Sequence, residues 1–496
     1  MKNLAITRTR PASGFRWARN RAASNQVEFI FFTTESLLMV LRDYGTTEIL
    51  PVFKKLLPRT DVDQLIESSA KNFYQRVLTP TVLLWCLVYQ RLSSDHTYDE
   101  VVAHIKSGAA DHLSADLGKP ISARLHSEST AAYSKGRQRF PLDVTKQTMT
   151  SAAQQVQQMV SLWHGHPVSL IDGSTFTMRP TESLITDYGV QTNQQGTNYW
   201  MVLRGVAAFC LRSGVVTAFA EGPYKTSEQK LALQVIKAAA LNTVFVGDSN
   251  FGIFSIAQAA RHAQSHVVVR LTDLRANKIA GRPLQSGDDV EVHWTPSRQD
   301  QLHDDMSAEP IHRRVLYCRV EFENFPAIDL YLFTTLLERS LYTSEDLVKL
   351  YGFRLHAELN LRYIKEQLEL GELKGKSPDS VRKELYSGLL TYNLIRGSMV
   401  EAAGEANLSP LHLSFTSCWR RLRSASAIIQ TTEHPERITE IVAHLISRLG
   451  LCKLPQRKIQ RFEPRLVRSR PRPYGFLKGD RQQARREHIQ QLQRAG

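Results

Sequence analysis

The sequence predicts an α/β protein: a mixed sheet flanked by helices, preceded by an all-helical region and followed by further helices and a basic tail. Three observations predict it. Apolar, β-rich runs alternate with short helical patterns between residues 168 and 271. Residues 27–163 place capping residues ahead of runs with helical periodicity. The net charge of +15 over 496 residues is confined to the two ends.

The ends come first. Residues 1–26 carry Lys2, Arg8, Arg10, Arg16, Arg19 and Arg21 and no acid, a charge of +6. Residues 456–496 carry twelve Lys/Arg and three acids, a charge of +9, so 27–455 is neutral as a whole. A balanced body with basic arms suits a polyanionic partner, although basic ends also serve solubility. The longest apolar stretch, near Val82–Tyr89, is too short to span a bilayer, and the first residues lack the apolar segment of a secretory signal. Five scattered cysteines without a CxxC pair argue against a disulfide framework or structural zinc, and fit a reducing cytoplasm.

Within 27–163, Thr34-Glu35-Ser36 precedes LLMVL, Asp61 precedes VDQLIESSAKNFYQ, and Thr97-Tyr98-Asp99 precedes EVVAHI. Pro80 opens another helix. Ser122–Arg139 is polar and reads as a loop, and 142–163 as a long helix closed by His164-Gly165-His166-Pro167. Strands are expected at 168–171, 199–211, 215–220, 244–246 and 266–271, with helices at 227–240 and 253–263. Residues 272–335 read as a β-rich insertion. Residues 344–370, 378–398 and 409–450 are helical, and the Arg-, Pro- and Gln-rich tail after Pro455 is expected to be extended or disordered until bound.

Two aspartates and one helix carry the chemistry. Asp172 and Asp248 each follow an apolar strand beside a glycine. Aspartates just past buried strands are held in place and open to solvent, so two on neighbouring strands are placed to share a hard divalent cation. The same residues suit ordinary strand-ending turns. In the run LYGFRLHAELNLRYIK at 350–365, Tyr351, Arg354, Glu358 and Lys365 fall within roughly a 60° arc of one helix face. Periodicity alone reads this equally well as a solvated face with charge pairs. Isolated histidines (His164, His166, His356, His412) form no metal-ligand set.

The Tyr-x2-Arg-x3-Glu-x6-Lys spacing resembles the signature of bacterial insertion-sequence transposases of the insertion-sequence-four family. So do IDGST at 171–175, GDSNFG at 247–252, KELY at 383–386 and YNLIR at 392–396. Two positions depart from the pattern: Leu355 where the family often has Trp, and Ser249-Asn250 where relatives often carry an Arg.

The resemblance implies a DDE transposase with an RNase H-like core in two parts, 164–271 and 336–400. The rest would be a basic arm (1–26), a helical DNA-binding domain (27–163), the insertion (272–335), C-terminal helices (401–455) and a basic tail (456–496). It implies that Asp172, Asp248 and Glu358 hold two Mg²⁺ ions, with Mn²⁺ able to substitute. Asp172 would bridge both, and Asp248 and Glu358 would take one each. Tyr351, Arg354 and Lys365 would hold the phosphates of the cut end. The partners implied are double-stranded DNA, as transposon ends and target, and a second copy of the chain, in the bacterial cytoplasm and nucleoid with no membrane. In relatives an aromatic residue stacks on a flipped base, and Trp294 is the candidate here; a core tryptophan of the inserted β-structure outweighs that role.

Overall fold

The computed structural model describes residues 50–69, 76–93, 95–114, 119–193, 196–197, 199–297, 309–322, 325–430, 434–455 and 480–495, together with 5–6, 48 and 432. The expected LLMVL helix, nearly all of the arm 1–26 and the tail segment 456–479 lie outside them.

The helical region begins with α1 (Arg59–Ser68), α2 (Pro80–Leu92) and α3 (Tyr98–Lys106). Thr79 and Thr97 cap the last two by accepting Val82 N–H and Glu100 N–H, and Pro80 takes the first turn, where no N–H is needed. The polar stretch read as a loop holds α4 (Ala131–Arg139) instead. Its polar letters mislead because two of them are used inside: Tyr133 and Arg137 are buried and both donate to Gln90 Oε1 in α2, at 3.0 and 2.6 Å. α5 (Leu142–Gln158) ends five residues short of Trp163, and a tight turn bridging Trp163 and His166 follows, with Gly165 at φ +79°.

The sheet is built from β1 (Val168–Met178), β2 (Met201–Cys210), β3 (Val216–Pro223), β4 (Val244–Gly247), β5 (His266–Leu271), β6 (Asp289–Trp294), β7 (Ile311–Phe322), β8 (Phe325–Thr334) and the short β9 (Glu372–Leu373). The strands run in the order Ala5–Ile6, β7, β8, β5, β4, β1, β2, β3, with β6 beside β7 and β9 beside β1. β1, β2 and β3 form an antiparallel meander; β4 and β5 lie parallel to β1, joined through α6 (Glu228–Lys237) and α7 (Phe254–His262). The stretch 272–335, expected as a separate insertion, extends this sheet: β8 pairs antiparallel with β5 from Tyr331↔Leu271 to Thr334↔Val268. An edge strand offers unpaired backbone groups, and a following β-rich segment satisfies them by joining the edge.

Helices cover both faces. α6 and α7 close one over Ile171, Phe245, Val267 and Phe333. The other receives α5, α8 (Ser344–Gly352), α9 (Leu355–Arg362) and α10 (Pro378–Glu405), over Leu170, Phe176 and Val246. α11 (Phe415–Gln430) and α12 (Pro435–Gly450) pack on α10, and the helical region at 50–156 shares its core with them. That region is one compact body with the sheet rather than a separate domain. In the second unit, residues 481–495 form α13 (Arg481–Ala495) where a tail without structure was expected. Gln, Arg, Ala and Leu are strong helix formers, and Asp480 accepts Gln483 N–H at its start.

α10 is buried nearly all round between Val381 and Ala403, and its buried polar residues hold the body together. Glu384 pairs with Arg91 of α2 at 2.6 Å, and its second oxygen accepts Lys374 N–H and Gly375 N–H at 2.9 and 2.8 Å. Asn393 meets Val216 at both backbone groups, accepting its N–H at 2.7 Å and donating to its C=O at 2.9 Å. The Arg91–Glu384 pair is 4 % and 3 % exposed, so removing one partner strands a charge away from water. Glu384→Ala is therefore expected to destabilise the body by about 3–5 kcal/mol, read as a lower urea midpoint. Glu384→Gln, which keeps an acceptor, should lose less.

Candidate active site

The two aspartates meet because their strands are parallel neighbours in one register. β1 pairs with β4 as Val168↔Val244, Ser169↔Phe245 and Leu170↔Val246. Two residues further along the chain from that pair stand Asp172 and Asp248, close enough that Asp248 acts on the Asp172 carboxyl. Burial changes at this point: Val168–Ile171 and Val244–Gly247 are buried, while Asp172 and Asp248 are only partly buried.

Asp248 follows its strand as expected. Asp172 does not: β1 continues to Met178, paired with β2 through Met178↔Met201. The opening beside Asp172 arises because its other neighbour, β4, ends at Gly247.

The signature run packs over this face, but not as one helix. α8 ends at Gly352, α9 starts at Leu355, and residues 363–367 form a π turn. The junction is tightened by i,i+3 bonds: Arg354 N–H to Tyr351 O at 2.9 Å and Ala357 N–H to Arg354 O at 2.9 Å. Glycine is a poor helix residue, and Gly352 marks the break. Arg354 thus turns inward, its side chain 15 % exposed, and lies between two carboxylates: it pairs with Glu358, and its Nη1 is 3.8 Å from Asp172 Oδ2. Lys365 Nζ donates to Ser174 Oγ at 3.3 Å, two residues beyond Asp172 on the same face. Tyr351 is half-buried near Arg354, Arg270 and Asp248; burial pushes its hydroxyl pKa up, and the two guanidiniums pull it back.

Six of the seven candidate residues are thus assembled on one face of the sheet. Trp294 is not among them. It is 7 % exposed at the end of β6, edge-to-face with Phe333 at 4.7 Å and Phe254 at 5.8 Å, so its ring is part of the core behind β8 and is not presented for stacking.

Burial, reinforced by Asp248 and Glu358 and opposed by the Gly173 N–H and Arg354, pushes the Asp172 carboxyl up to about 6. A buried carboxylate with other carboxylates beside it makes a place where a cation is welcome. Asp172, Asp248 and Glu358 offer the hard oxygens that Mg²⁺ or Mn²⁺ takes. Among the described residues no three such side chains are yet closed around a metal position, and Glu358, half-exposed, is turned to Arg354.

Sequence reading missed Arg270 and Ser174. The one cation in the apolar strand HVVVRL was the available signal for Arg270. With Ser249 and Tyr331 it lines a cavity of about 480 Å³ opening beside the Asp248 turn. The departures from the family pattern are harmless to packing: Leu355 is 55 % exposed and Ser249 half-exposed.

Residues 163–394 match the family described as Transposase DDE domain. Over 432 residues the chain is 26 % identical to "Transposase InsG for insertion sequence element IS4" of Escherichia coli (strain K12), covering 83 % of this chain and 90 % of that protein. A solved structure, "Cryo-EM structure of piggyBac transposase synaptic complex with hairpin DNA", is similar over 80 % of this chain and 85 % of that one, at 10 % identity and a TM-score of 0.38, too loose a likeness for element-by-element comparison. The family match, which spans the sheet strands and the signature segment, and the relative together support a likeness to DDE transposases. Within that class the relative that matches over most of the chain is a transposase of the insertion-sequence-four element.

Two outcomes follow from the geometry. Folded Asp172 keeps its proton up to about pH 6, whereas an unfolded aspartate releases it near 4. The folded form therefore binds more protons in that window, and stability falls as pH rises through it. Asp172→Asn should abolish the fall and, in EDTA at pH 7–8, unfold later than the parent chain by roughly 1–3 kcal/mol; urea titrations from pH 4 to 8 test this. Trp294→Ala should cost about 3–5 kcal/mol of stability, read by thermal unfolding, while DNA affinity of the folded fraction stays unchanged.

Proposed function

We propose that this chain is a DNA transposase that binds the terminal inverted repeats of an insertion sequence, cuts at its ends and joins the freed 3′-OH to target DNA. The observation that carries the reading is the parallel register that sets Asp172 beside Asp248, with Glu358 delivered over them by α9. The meander followed by two parallel strands, in the order β3, β2, β1, β4, β5, is the arrangement expected of an RNase H-like core.

Asp172, Asp248 and Glu358 are the residues that would hold two Mg²⁺ or Mn²⁺ ions. Such ions, when bound, stabilise both the attacking and the leaving oxygen of an in-line phosphodiester displacement. The chain's own cations address the rest of the substrate. Arg354 is a planar, permanently charged fork that suits a phosphate as well as the two carboxylates it now spans. A DNA phosphate taking Arg354 would free Glu358 to face the aspartates. Lys365 and Tyr351 flank Arg354 and complete the grip on the cut end. The cavity lined by Ser249, Arg270 and Tyr331 adjoins the aspartates and offers a cation and a ring to a DNA strand.

The helical region before β1 would read the terminal repeats, and the basic ends at 1–26 and 456–496 would bind phosphates without regard to sequence. Two ends must be cut together, so the working form is a homodimer on DNA, in the bacterial cytoplasm.

One reaction tests this: protein, Mg²⁺, a fragment carrying the element's end, and a target plasmid. Joined products are expected. Asp172→Ala, Asp248→Ala and Glu358→Ala should each lose more than the ~10–100-fold typical of residues one shell further out, while gel shifts in EDTA persist. Cutting without joining would mark a nuclease of the same fold. Binding without cutting would mark a DNA-binding descendant. Undiminished cleavage in all three variants would refute the site.

A further inference from the structure

We propose that Glu228, acting through Asn250, is a positioning residue for Asp248, and that Gly173 is a glycine to make room for it. The inference rests on the reading of Asp248 as a metal ligand.

The turn after β4 is tied to the start of α6. Asn250 N–H donates to Asp248 Oδ1 at 2.9 Å, committing that oxygen to the turn. The Asn250 side chain is held at both ends: its Nδ2 donates to Glu228 Oε2 at 2.6 Å, and its Oδ1 accepts from Gln229 Nε2. Gln229 Nε2 also reaches the Asn250 carbonyl at 3.2 Å. An unbroken chain of bonds thus runs from the first turn of a helix to one oxygen of Asp248.

Glu228 is not needed to cap α6. Ser227 does that, its Oγ accepting Lys230 N–H at 3.2 Å. Nor is its position a matter of spare space. A Cβ on Gly173 would lie 2.6 Å from Glu228 Cδ and 2.9 Å from Oε1, so the carboxylate occupies the volume a side chain at 173 would fill. Gly173 follows Asp172 directly. One carboxylate therefore lies against the Asp172 segment and is hydrogen-bonded to the Asp248 turn, and it couples the two segments from the face opposite α9. The helix N-terminus favours a negative charge there. Metal sites require ligands held to within about 0.5 Å, and the loss of an outer-shell partner typically costs 10–100-fold in metal affinity or activity.

The test measures metal directly. Mn²⁺ bound to the full chain in complex with an end-bearing DNA fragment is read from the loss of the free-ion EPR signal, and cleavage is followed against Mg²⁺ concentration. Glu228→Ala and Asn250→Ala should each weaken Mn²⁺ binding and raise the half-saturating Mg²⁺ about tenfold or more, with activity recovering at high Mg²⁺. The double variant should be no worse than the worse single one. Glu228→Gln, which still offers Asn250 an acceptor, should stay close to the parent chain. If either alanine variant fails to fold, Gly173→Ala displaces the same carboxylate and should shift Mn²⁺ binding the same way.

Unchanged Mn²⁺ binding and Mg²⁺ dependence in the alanine variants, or independent additive losses, would overturn the positioning role while Asp248→Ala still loses Mn²⁺. Parent-like Mn²⁺ binding and cleavage in Asp248→Ala would instead overturn the reading of the site, and this inference with it.

Discussion

The parallel pairing of β1 with β4 is the constraint from which the site follows. It forces two carboxylates to share one opening at the ends of buried strands. Burial of the Asp172 carboxyl, with a smaller push from the neighbouring carboxylates, raises its proton affinity. The surroundings answer it from two sides. Arg354 descends between Asp172 and Glu358 on one face, and the Asp248 turn is fastened to the start of α6 at the other. Sites that concentrate charge in this way are held by their supports rather than by their own stability.

The second structural demand is a backing rigid enough to keep α9 over the sheet. α10 provides it. Arg396 of that helix donates to Asn360 of α9 and to Tyr392 Oη, Tyr392 donates to the Gly214 carbonyl, and Asn393 reads the backbone of Val216 as a neighbouring strand would. The KELY and YNLIR letters therefore act inside the core. Their polar atoms stitch α10 to α2, to the sheet and to the signature segment, all within one core.

Much of this was legible in the letters, for local reasons. Pro80 announced α2, the Thr97 cap announced α3, the periodic run from residue 227 announced α6, and unbroken apolar runs announced β4 and β5. Where the reading failed, distant partners had decided. α4 is polar yet helical because Gln90 awaits Tyr133 and Arg137. The signature run, regular in spacing, is interrupted after Gly352 and again at residue 363, which turns Arg354 toward Asp172 instead of leaving it on a solvated face. β1 runs on past Asp172 because β2 offers a partner through Met178. Trp294, a plausible stacking ring by position alone, is enclosed by Phe254 and Phe333 once β6 joins the sheet.

The sequence by itself determined the residue types, their spacing and most element starts. Caps, periodicity and turn residues act within a few positions of chain, and the signature gaps are written in the letters. Only the tertiary structure decided which strand lies beside which, where Arg354 points, and that 272–335 belongs to the sheet. Those outcomes depend on strand register and on side chains buried by segments up to several hundred residues away, and no local pattern encodes them.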